Sequence, residues 1–140
     1  MTAVLKVIYW LEIVLWPIFA ALVAWHVQHN FRFWMGMGIA VAGYPLWIRA
    51  RAELGQSFTL SAQARSLVTT GLHSKIRHPV YVFGGVSLGG ILIAWGNPIV
   101  LVLFFVLYST QQWLRLRKEE AVLEKAFGEE YRRYKAQTWF

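Results

Sequence analysis

The chain has 140 residues, of which 57% are apolar and 16% aromatic, and it contains no cysteine. This apolar share exceeds that of ordinary soluble domains and favours a protein of the lipid bilayer, while the lack of cysteine excludes disulfides and thiolate metal sites. The net charge of +7 does not indicate nucleic-acid binding, because the basic residues fall in two blocks that each adjoin an apolar run.

Four apolar runs predict an all-α integral membrane protein with about four transmembrane helices, organised as one domain over residues 1–140. The predicted spans are residues 3–25, 33–48, 80–95 and 99–114. The last two are separated by Gly96-Asn97-Pro98, a turn sequence, and are interpreted as a helical hairpin. Each arm of this hairpin reaches only about 24 Å, so we expect the arms to tilt or to continue helically into their polar flanks.

Two of these spans carry small residues, which let helices approach closely in membranes. In the second span they are Gly36, Gly38, Ala40, Ala42 and Gly43, and in the third span they form Gly85-Val-Ser-Leu-Gly89. We expect both groups to be packing surfaces. Most tryptophans lie near predicted span ends, where they are typical interfacial anchors.

The distribution of basic residues predicts the orientation of the chain. After the last span, residues 115–135 combine charged and apolar positions and predict an amphipathic helix along the membrane surface. With four crossings, Arg32 is alone on one side, and the other 13 of the 14 Lys and Arg residues share the opposite side, which is then cytoplasmic. The sequence therefore predicts a multi-pass protein of the inner or cytoplasmic membrane, in which segments 67–81 and 115–131 face the cytoplasm together. The oligomeric state stays open.

Segment 67–81 places polar and turn-forming residues directly before the third span. Gly71 allows close approach of a ligand to the backbone, and Pro79 suits the first turn of a helix, which puts His78 at or near its N-cap. The free N–H groups of such a helix start attract a carboxylate, and Arg77 and Tyr81 add further donors. The alternative is an interfacial basic anchor, with Tyr81 in the aromatic belt.

Glu119 and Glu120 lie about one turn beyond the last predicted span. Carboxylates in this position can pair with an ammonium group or accept hydrogen bonds from hydroxyl groups. Charge pattern alone favours the alternative of a solvated helix with pairs at i,i+4 spacing. We expect no metal site, because His26 and His29 have no third ligand nearby.

Taken together, several motifs resemble the isoprenylcysteine carboxyl methyltransferase family and the related membrane phospholipid N-methyltransferases. The resemblance covers roughly residues 50–135 and is carried by Leu54-Gly55, Leu67-Val-Thr-Thr-Gly71, Arg77-His-Pro-Val-Tyr81 with Gly84, Glu119-Glu120, and Phe127-Gly-Glu-Glu-Tyr131 with Tyr134. It implies an integral membrane methyltransferase that uses S-adenosylmethionine without a Rossmann domain. Its partners are then a lipophilic or lipid-modified acceptor that enters from the bilayer and the membrane lipids.

The resemblance also implies roles for individual residues of the site. Val68, Thr69 and Gly71 line the nucleoside end of the cofactor, His78 and Tyr81 hold its methionine carboxylate, and Glu119 and Glu120 engage its amino group or ribose. For a protonated acceptor, Glu120, His73 or His78 can serve as the base by side-chain type. Glu120 and His73 are the catalytic candidates.

The chain departs from the family pattern in two places. Leu72-His73 replaces a common Pro-Tyr, and Gln137 stands where an arginine is usual, which puts a carboxylate acceptor in doubt unless Arg132 or Arg133 substitutes. Two other functions stay open. Membrane sterol reductases carry a similar Arg-His-Pro-x-Tyr element and use NADPH, and a non-catalytic membrane adaptor needs only the basic tail.

Overall fold

The computed structural model describes residues 3–54 and 67–139, and its description of side chains excludes residues 3–9 and 12. Gly55 and Arg65, on which parts of the sequence analysis rest, lie outside the described residues. The elements in chain order are α1 (Ala3–His26), α2 (Phe31–Leu54), a 310 helix (Gly71–Ser74), α3 (Pro79–Trp95), α4 (Pro98–Phe127) and α5 (Glu129–Gln137). The described ranges contain no strand, which confirms the all-α prediction.

Two helices run beyond the predicted spans. α2 continues to Leu54 rather than ending near residue 48, so the first residues of the expected polar connection are helical. α4 is one helix of 30 residues that joins the apolar arm to the charged segment, as the sequence led us to expect. The single surface helix predicted over 115–135 is wrong, because Gly128 adopts a positive φ of 50° and separates α4 from α5.

The predicted turn between α3 and α4 is confirmed in detail. Gly96 ends α3 in the left-handed conformation (φ 80°), which glycine adopts without steric cost. The Asn97 side chain accepts hydrogen bonds from the backbone N–H groups of Ile99 and Val100, at 3.1 and 3.2 Å. An N-cap followed by Pro98 at the first helical position is a favoured way to begin a helix.

α2 and α3 pack very closely along a stripe of small residues. A Cβ at Gly90 would lie 2.6 Å from Ala40 N, and a Cβ at Gly43 would lie 3.0 Å from Ser87 N. The Ser87 hydroxyl donates to the carbonyl of Ala40 at 3.1 Å. Backbone thus contacts backbone here, as small residues allow in membrane helices.

Part of the small-residue prediction is wrong in its details. A Cβ added at Gly38 would have nothing within 4 Å, so Gly38 lies outside the α2–α3 contact. Gly85 and Gly89 are packing positions, as predicted, and they face α4, where they lie against the rings of Tyr108 and Phe105. Gly38 is two residues from both Gly36 and Ala40, and only residues three or four apart share a helix face.

α1 packs against α2 and α3 through aromatic residues. The rings of Trp16 and Trp47 stack with centroids 4.4 Å apart, and Gly84 leaves room for this pair beside α3. Trp47 is buried, so for this tryptophan the prediction of an interfacial anchor is wrong. Tyr44 also donates from its hydroxyl to the Ile13 carbonyl at 2.6 Å.

The surface of the helices is strongly apolar. Within α4, which is described in full, no side chain is buried, and large apolar residues such as Ile99, Leu103 and Leu107 stay more than half exposed. Among the helix segments whose side chains are described, Pro98–Phe127 alone is long and apolar enough to cross a bilayer, while Pro79–Trp95 and the part of α1 from Ile13 to His26 are apolar but shorter. An exposed apolar surface of this kind indicates a membrane protein. The number of four spans remains a prediction.

The two ends of the helix bundle differ in chemistry. At one end, Arg32 at the start of α2 donates to the carbonyl of Gly96 in the α3–α4 turn, at 3.4 Å. At the other end, the C-terminus of α2, the 310 helix, the N-terminus of α3, the charged part of α4 and α5 come together. The polar segments that the sequence analysis singled out therefore share one end.

Candidate active site

The start of α3 has the form that the sequence predicts. His78 is the N-cap and Pro79 the first helical residue, and the His78 carbonyl accepts the backbone N–H groups of Tyr81 and Val82 at 3.1 and 3.2 Å. The imidazole of His78 makes no capping hydrogen bond and instead stacks near the Tyr81 ring, with centroids 5.9 Å apart. The local sequence thus directs both side chains to the same side of the helix start.

The charged part of α4, residues 115–127, brings two of its three carboxylates, those of Glu119 and Glu120, to this helix start. Arg77 Nη1 donates to Glu120 Oε1 at 2.8 Å, and the Tyr81 hydroxyl donates to Glu119 Oε1 at 2.5 Å. Arg115, one turn earlier on α4, donates from Nε to the same Glu119 oxygen at 3.0 Å. The basic element before α3 and the acidic pair on α4 are therefore in direct contact, although about 40 residues separate them in sequence.

His78 lies between the two carboxylates. Its Nδ1 is 4.0 Å from Glu119 Oε2 and its Nε2 is 3.8 Å from Glu120 Oε1, both beyond hydrogen-bonding distance. In the described part of the chain, His78 Nε2 and Arg77 Nε are buried nitrogens without a hydrogen-bond partner. Buried polar atoms in proteins are rarely left unpaired. By their chemistry, these two nitrogens suit an anionic group and the adjacent carboxylates suit a cationic group.

Burial sets the protonation states in this cluster. The pKa of His78 lies below its ordinary value because desolvation penalises the imidazolium, and the nearby carboxylates of Glu119 and Glu120 only partly offset this. For Glu120, burial raises the pKa, but Lys135 and Arg77 outweigh that effect and the pKa is lowered. At neutral pH the site therefore combines a neutral imidazole with an ionised carboxylate.

A second polar cluster lies where α2 ends. Glu53 Oε2 accepts the backbone N–H of Leu72 at 2.7 Å and lies 3.2 Å from His73 Nδ1, which must be the protonated ring nitrogen because a carboxylate only accepts. Glu53 Oε1 accepts from Arg49 Nε at 3.1 Å. The imidazole of His73 is almost completely buried, and burial lowers its pKa although Glu53 acts in the opposite direction.

α5 closes over both clusters from the carboxyl-terminal side. The hydroxyl of Tyr134 donates to the carbonyl of His73 at 2.6 Å, and Lys135 Nζ donates to Glu120 Oε2 at 2.8 Å. The backbone N–H of Trp139 donates to the Lys75 carbonyl at 2.9 Å. α5 thus holds the 310 helix and the acidic pair in one assembly.

The predicted nucleoside-end residues lie at the edge of this assembly. Thr69 lines an open groove between the segment before the 310 helix and α5, whose other lining residues are Leu67, Ser74, Glu130, Arg133, Tyr134 and Gln137. Val68 is half-buried beside it. Gly71 has a positive φ of 61° and faces the Glu53 carboxylate. Within this end of the molecule, His78, Tyr81, Glu119 and Glu120 form one cluster and His73 belongs to the other.

Sequence reasoning missed Glu53 and Lys135 as members of these clusters. Glu53 follows Arg49 and Arg51 at the end of the second apolar run, and its partners in the 310 helix, Leu72 and His73, are about 20 residues away in the chain. Lys135 was counted only as a basic flank. His26 and His29 bond to backbone carbonyls of α1, those of Leu22 and Ala24.

The chain is similar in sequence to known methyltransferases. A model of the phospholipid methyltransferase family matches residues 31–130, which include both clusters except for α5. The chain is also similar to protein-S-isoprenylcysteine O-methyltransferase of Schizosaccharomyces pombe, with 32% identity over 104 residues, or 71% of this chain. It covers 44% of that protein, so the chain spans less than half the length of this curated relative.

The family match includes the Arg77-His78-Tyr81 element and the Glu119-Glu120 pair, the residues that carry the resemblance found in the sequence. That resemblance is confirmed. The chain belongs to the phospholipid methyltransferase family.

Proposed function

We propose that this protein is an S-adenosylmethionine-dependent methyltransferase of the membrane that methylates a lipophilic acceptor reaching the site from the bilayer, in the manner of the isoprenylcysteine carboxyl methyltransferases. The observation that carries the proposal is the contact of Arg77, His78 and Tyr81 with Glu119 and Glu120. In a chain of a methyltransferase family, these residues provide a cationic group for the carboxylate of the methionine part of S-adenosylmethionine and carboxylates for its amino group.

Individual residues have complementary parts in holding the cofactor. Arg77 and His78, whose Nε and Nε2 atoms are buried and unpaired among the described residues, would hold the carboxylate together with Tyr81. Glu119 and Glu120 would take the amino group or ribose. Val68, Thr69 and Gly71 would line the nucleoside end, next to the open groove. When bound, S-adenosylmethionine supplies an activated methyl group, so the protein contributes mainly positioning and exclusion of water.

The two proposed bases differ in their surroundings. Glu120 is ionised at neutral pH and is only partly enclosed by Arg77 and Lys135, so it can accept a proton from an acceptor that lies at the start of α3. His73 is almost completely buried, and its Nδ1–H is committed to Glu53. We therefore propose Glu120 as the base for a protonated acceptor, and the position of His73 supports a structural contribution better than proton transfer.

We also propose that the protein crosses the membrane several times with this site on the cytoplasmic side. The apolar exposed surfaces of α1 and α4 support lipid contact, and the concentration of Lys and Arg at the site end supports the orientation. The name of the S. pombe relative specifies an isoprenylcysteine substrate. For this chain, with Gln137 in place of the usual arginine, we propose only a lipophilic acceptor.

The test begins with binding of S-adenosylhomocysteine and NADPH to the purified protein in detergent, by calorimetry and by thermal unfolding. We expect S-adenosylhomocysteine to bind and to raise the unfolding temperature, and NADPH to do neither. Radiolabelled S-adenosylmethionine should then transfer its methyl group to a component of a lipid extract. Protection by NADPH alone would replace the proposal with a reductase, and protection by neither compound would favour an adaptor.

A matched pair of variants locates the site. Glu120→Gln removes a carboxylate that we assign to the cofactor, and loss of a charged hydrogen bond should weaken S-adenosylhomocysteine binding by about 10-fold to 100-fold. Glu124→Gln changes the same residue type one turn further along α4, where Glu124 is exposed and paired with Arg132, and it should bind normally. Equal affinities of the two variants would contradict the assignment.

A further inference from the structure

Glu53 connects the end of α2 to the segment that precedes the candidate cofactor residues. Its Oε2 accepts the Leu72 amide at 2.7 Å and the His73 Nδ1–H at 3.2 Å. The Leu72 amide belongs to the first turn of the 310 helix, where backbone N–H groups have no partner within the helix. One carboxylate oxygen thus fixes both the backbone and a buried side chain of this segment.

Gly71 leaves room for this carboxylate because it has no side chain. A Cβ at position 71 would lie 2.7 Å from Glu53 Oε2 and still closer to the other carboxylate oxygen. The backbone of Gly71 also has a φ of 61°, which residues with a side chain rarely adopt. The glycine that the sequence suggested for close approach of a ligand therefore closely approaches a protein carboxylate instead.

The contacts of Glu53 continue toward the acidic pair through α5. His73, held by Glu53, has its carbonyl bonded to the Tyr134 hydroxyl at 2.6 Å. The next residue of α5, Lys135, bonds to Glu120. A change at the end of α2 therefore acts on the segment 69–74 directly, and on Glu120 indirectly, through α5 and through Arg77.

Glu53 has little capacity left for a ligand of its own. Its carboxylate already accepts from three donors, and its side chain is 17% exposed. Its partner Arg49, in contrast, is 65% exposed, and an ion pair at that level of exposure contributes little. The contacts that matter are those to Leu72 and His73.

We propose that Glu53 is a positioning residue for cofactor binding, which holds residues 69–74 in the conformation that receives the nucleoside end of S-adenosylmethionine. This inference rests on the proposed function. Glu53 acts through Gly71, Leu72 and His73 and does not contact the cofactor.

The test compares three variants of the full-length protein in detergent. Glu53→Ala removes all three hydrogen bonds, Glu53→Gln keeps an oxygen for Leu72 and His73 without the charge, and Arg49→Ala removes only the exposed ion pair. We expect the dissociation constant of S-adenosylhomocysteine to rise about 10-fold or more in Glu53→Ala, to rise less in Glu53→Gln, and to stay at the wild-type value in Arg49→Ala.

A second readout separates positioning from general damage to the fold. The amount of lipid extract that half-saturates methyl transfer should stay within about twofold of wild type in Glu53→Gln, because a local role changes cofactor affinity and leaves acceptor affinity alone. A parallel rise of both constants in Glu53→Gln would overturn the inference. So would a Glu53→Ala protein that binds S-adenosylhomocysteine as tightly as Arg49→Ala.

The same experiment distinguishes the two proposals. If the wild-type protein does not bind S-adenosylhomocysteine, the proposed function fails and the role of Glu53 fails with it. If wild type binds and the Glu53 variants bind equally well, only the inference about Glu53 is refuted.

Discussion

Replacement of Gly90 by alanine tests the α2–α3 packing on which the whole site end depends. The added Cβ would lie 2.6 Å from Ala40 N and 2.7 Å from the Gly36 carbonyl oxygen. To reach an ordinary contact of about 3.4 Å, the two helices must separate by about 0.8 Å along this stripe. Such overpacking typically costs about 1–3 kcal/mol, and the better helix propensity of alanine returns only about 1 kcal/mol.

The control is Gly38→Ala, in α2 and on the opposite side from the packing stripe. Nothing lies within 4 Å of a Cβ at that position, so this variant should gain up to about 1 kcal/mol from helix propensity. Thermal unfolding of the two variants in one detergent should shift in opposite directions, with Gly90→Ala lower than wild type by about 5 °C. If Gly90→Ala unfolds at or above the wild-type temperature, the close α2–α3 contact is refuted.

Three further predictions follow from single contacts. Tyr134→Phe removes the donor to the His73 carbonyl and should lower stability by about 1–3 kcal/mol, since a buried acceptor is left unpaired; an unchanged denaturation midpoint would contradict this. Asn97→Ala removes the N-cap of α4 and should lower the free energy of unfolding by about 1 kcal/mol, whereas Asn97→Asp keeps a capping oxygen and should lose little stability. Unfolding temperatures of the two variants check this. Burial lowers the pKa of His73 and of His78, so below about pH 6.5 the unfolded chain takes up more protons than the folded protein. The unfolding temperature should therefore be highest above about pH 6.5 and should fall as the pH is lowered toward about 5. An unfolding temperature that stays constant or increases as the pH is lowered would refute the lowered pKa values of these two histidines.

The sequence predicted the parts of the fold that depend on local residues. Pro79 after His78 identified the start of α3, and Gly96-Asn97-Pro98 identified the α3–α4 turn, because capping and turn formation are properties of neighbouring residues. The meeting of His78 with Glu119 and Glu120 could also be predicted, since charge placed both segments at one membrane face. The resemblance to a family supplied the proposed roles.

What the sequence did not reveal depends on contacts between distant residues. Glu53 has partners near residue 72, and no local pattern connects them. The sequence identified the small residues of α2, but excluding Gly38 from the packing surface required knowledge of which helix face contacts α3. Gly128 interrupts a segment rich in helix-forming residues, and one glycine in such a segment does not by itself predict a break.

The unbroken length of α4 has a mechanical consequence. Its 30 residues form a rod of about 45 Å, anchored at Asn97 and carrying Glu119 about 33 Å from that anchor. A rotation of about 5° at the anchor displaces the carboxylate by about 3 Å, as much as the length of its hydrogen bonds to Tyr81 and Arg115. In the proposed membrane orientation, a change in the inclination of α4 would therefore change the spacing of charges at its far end.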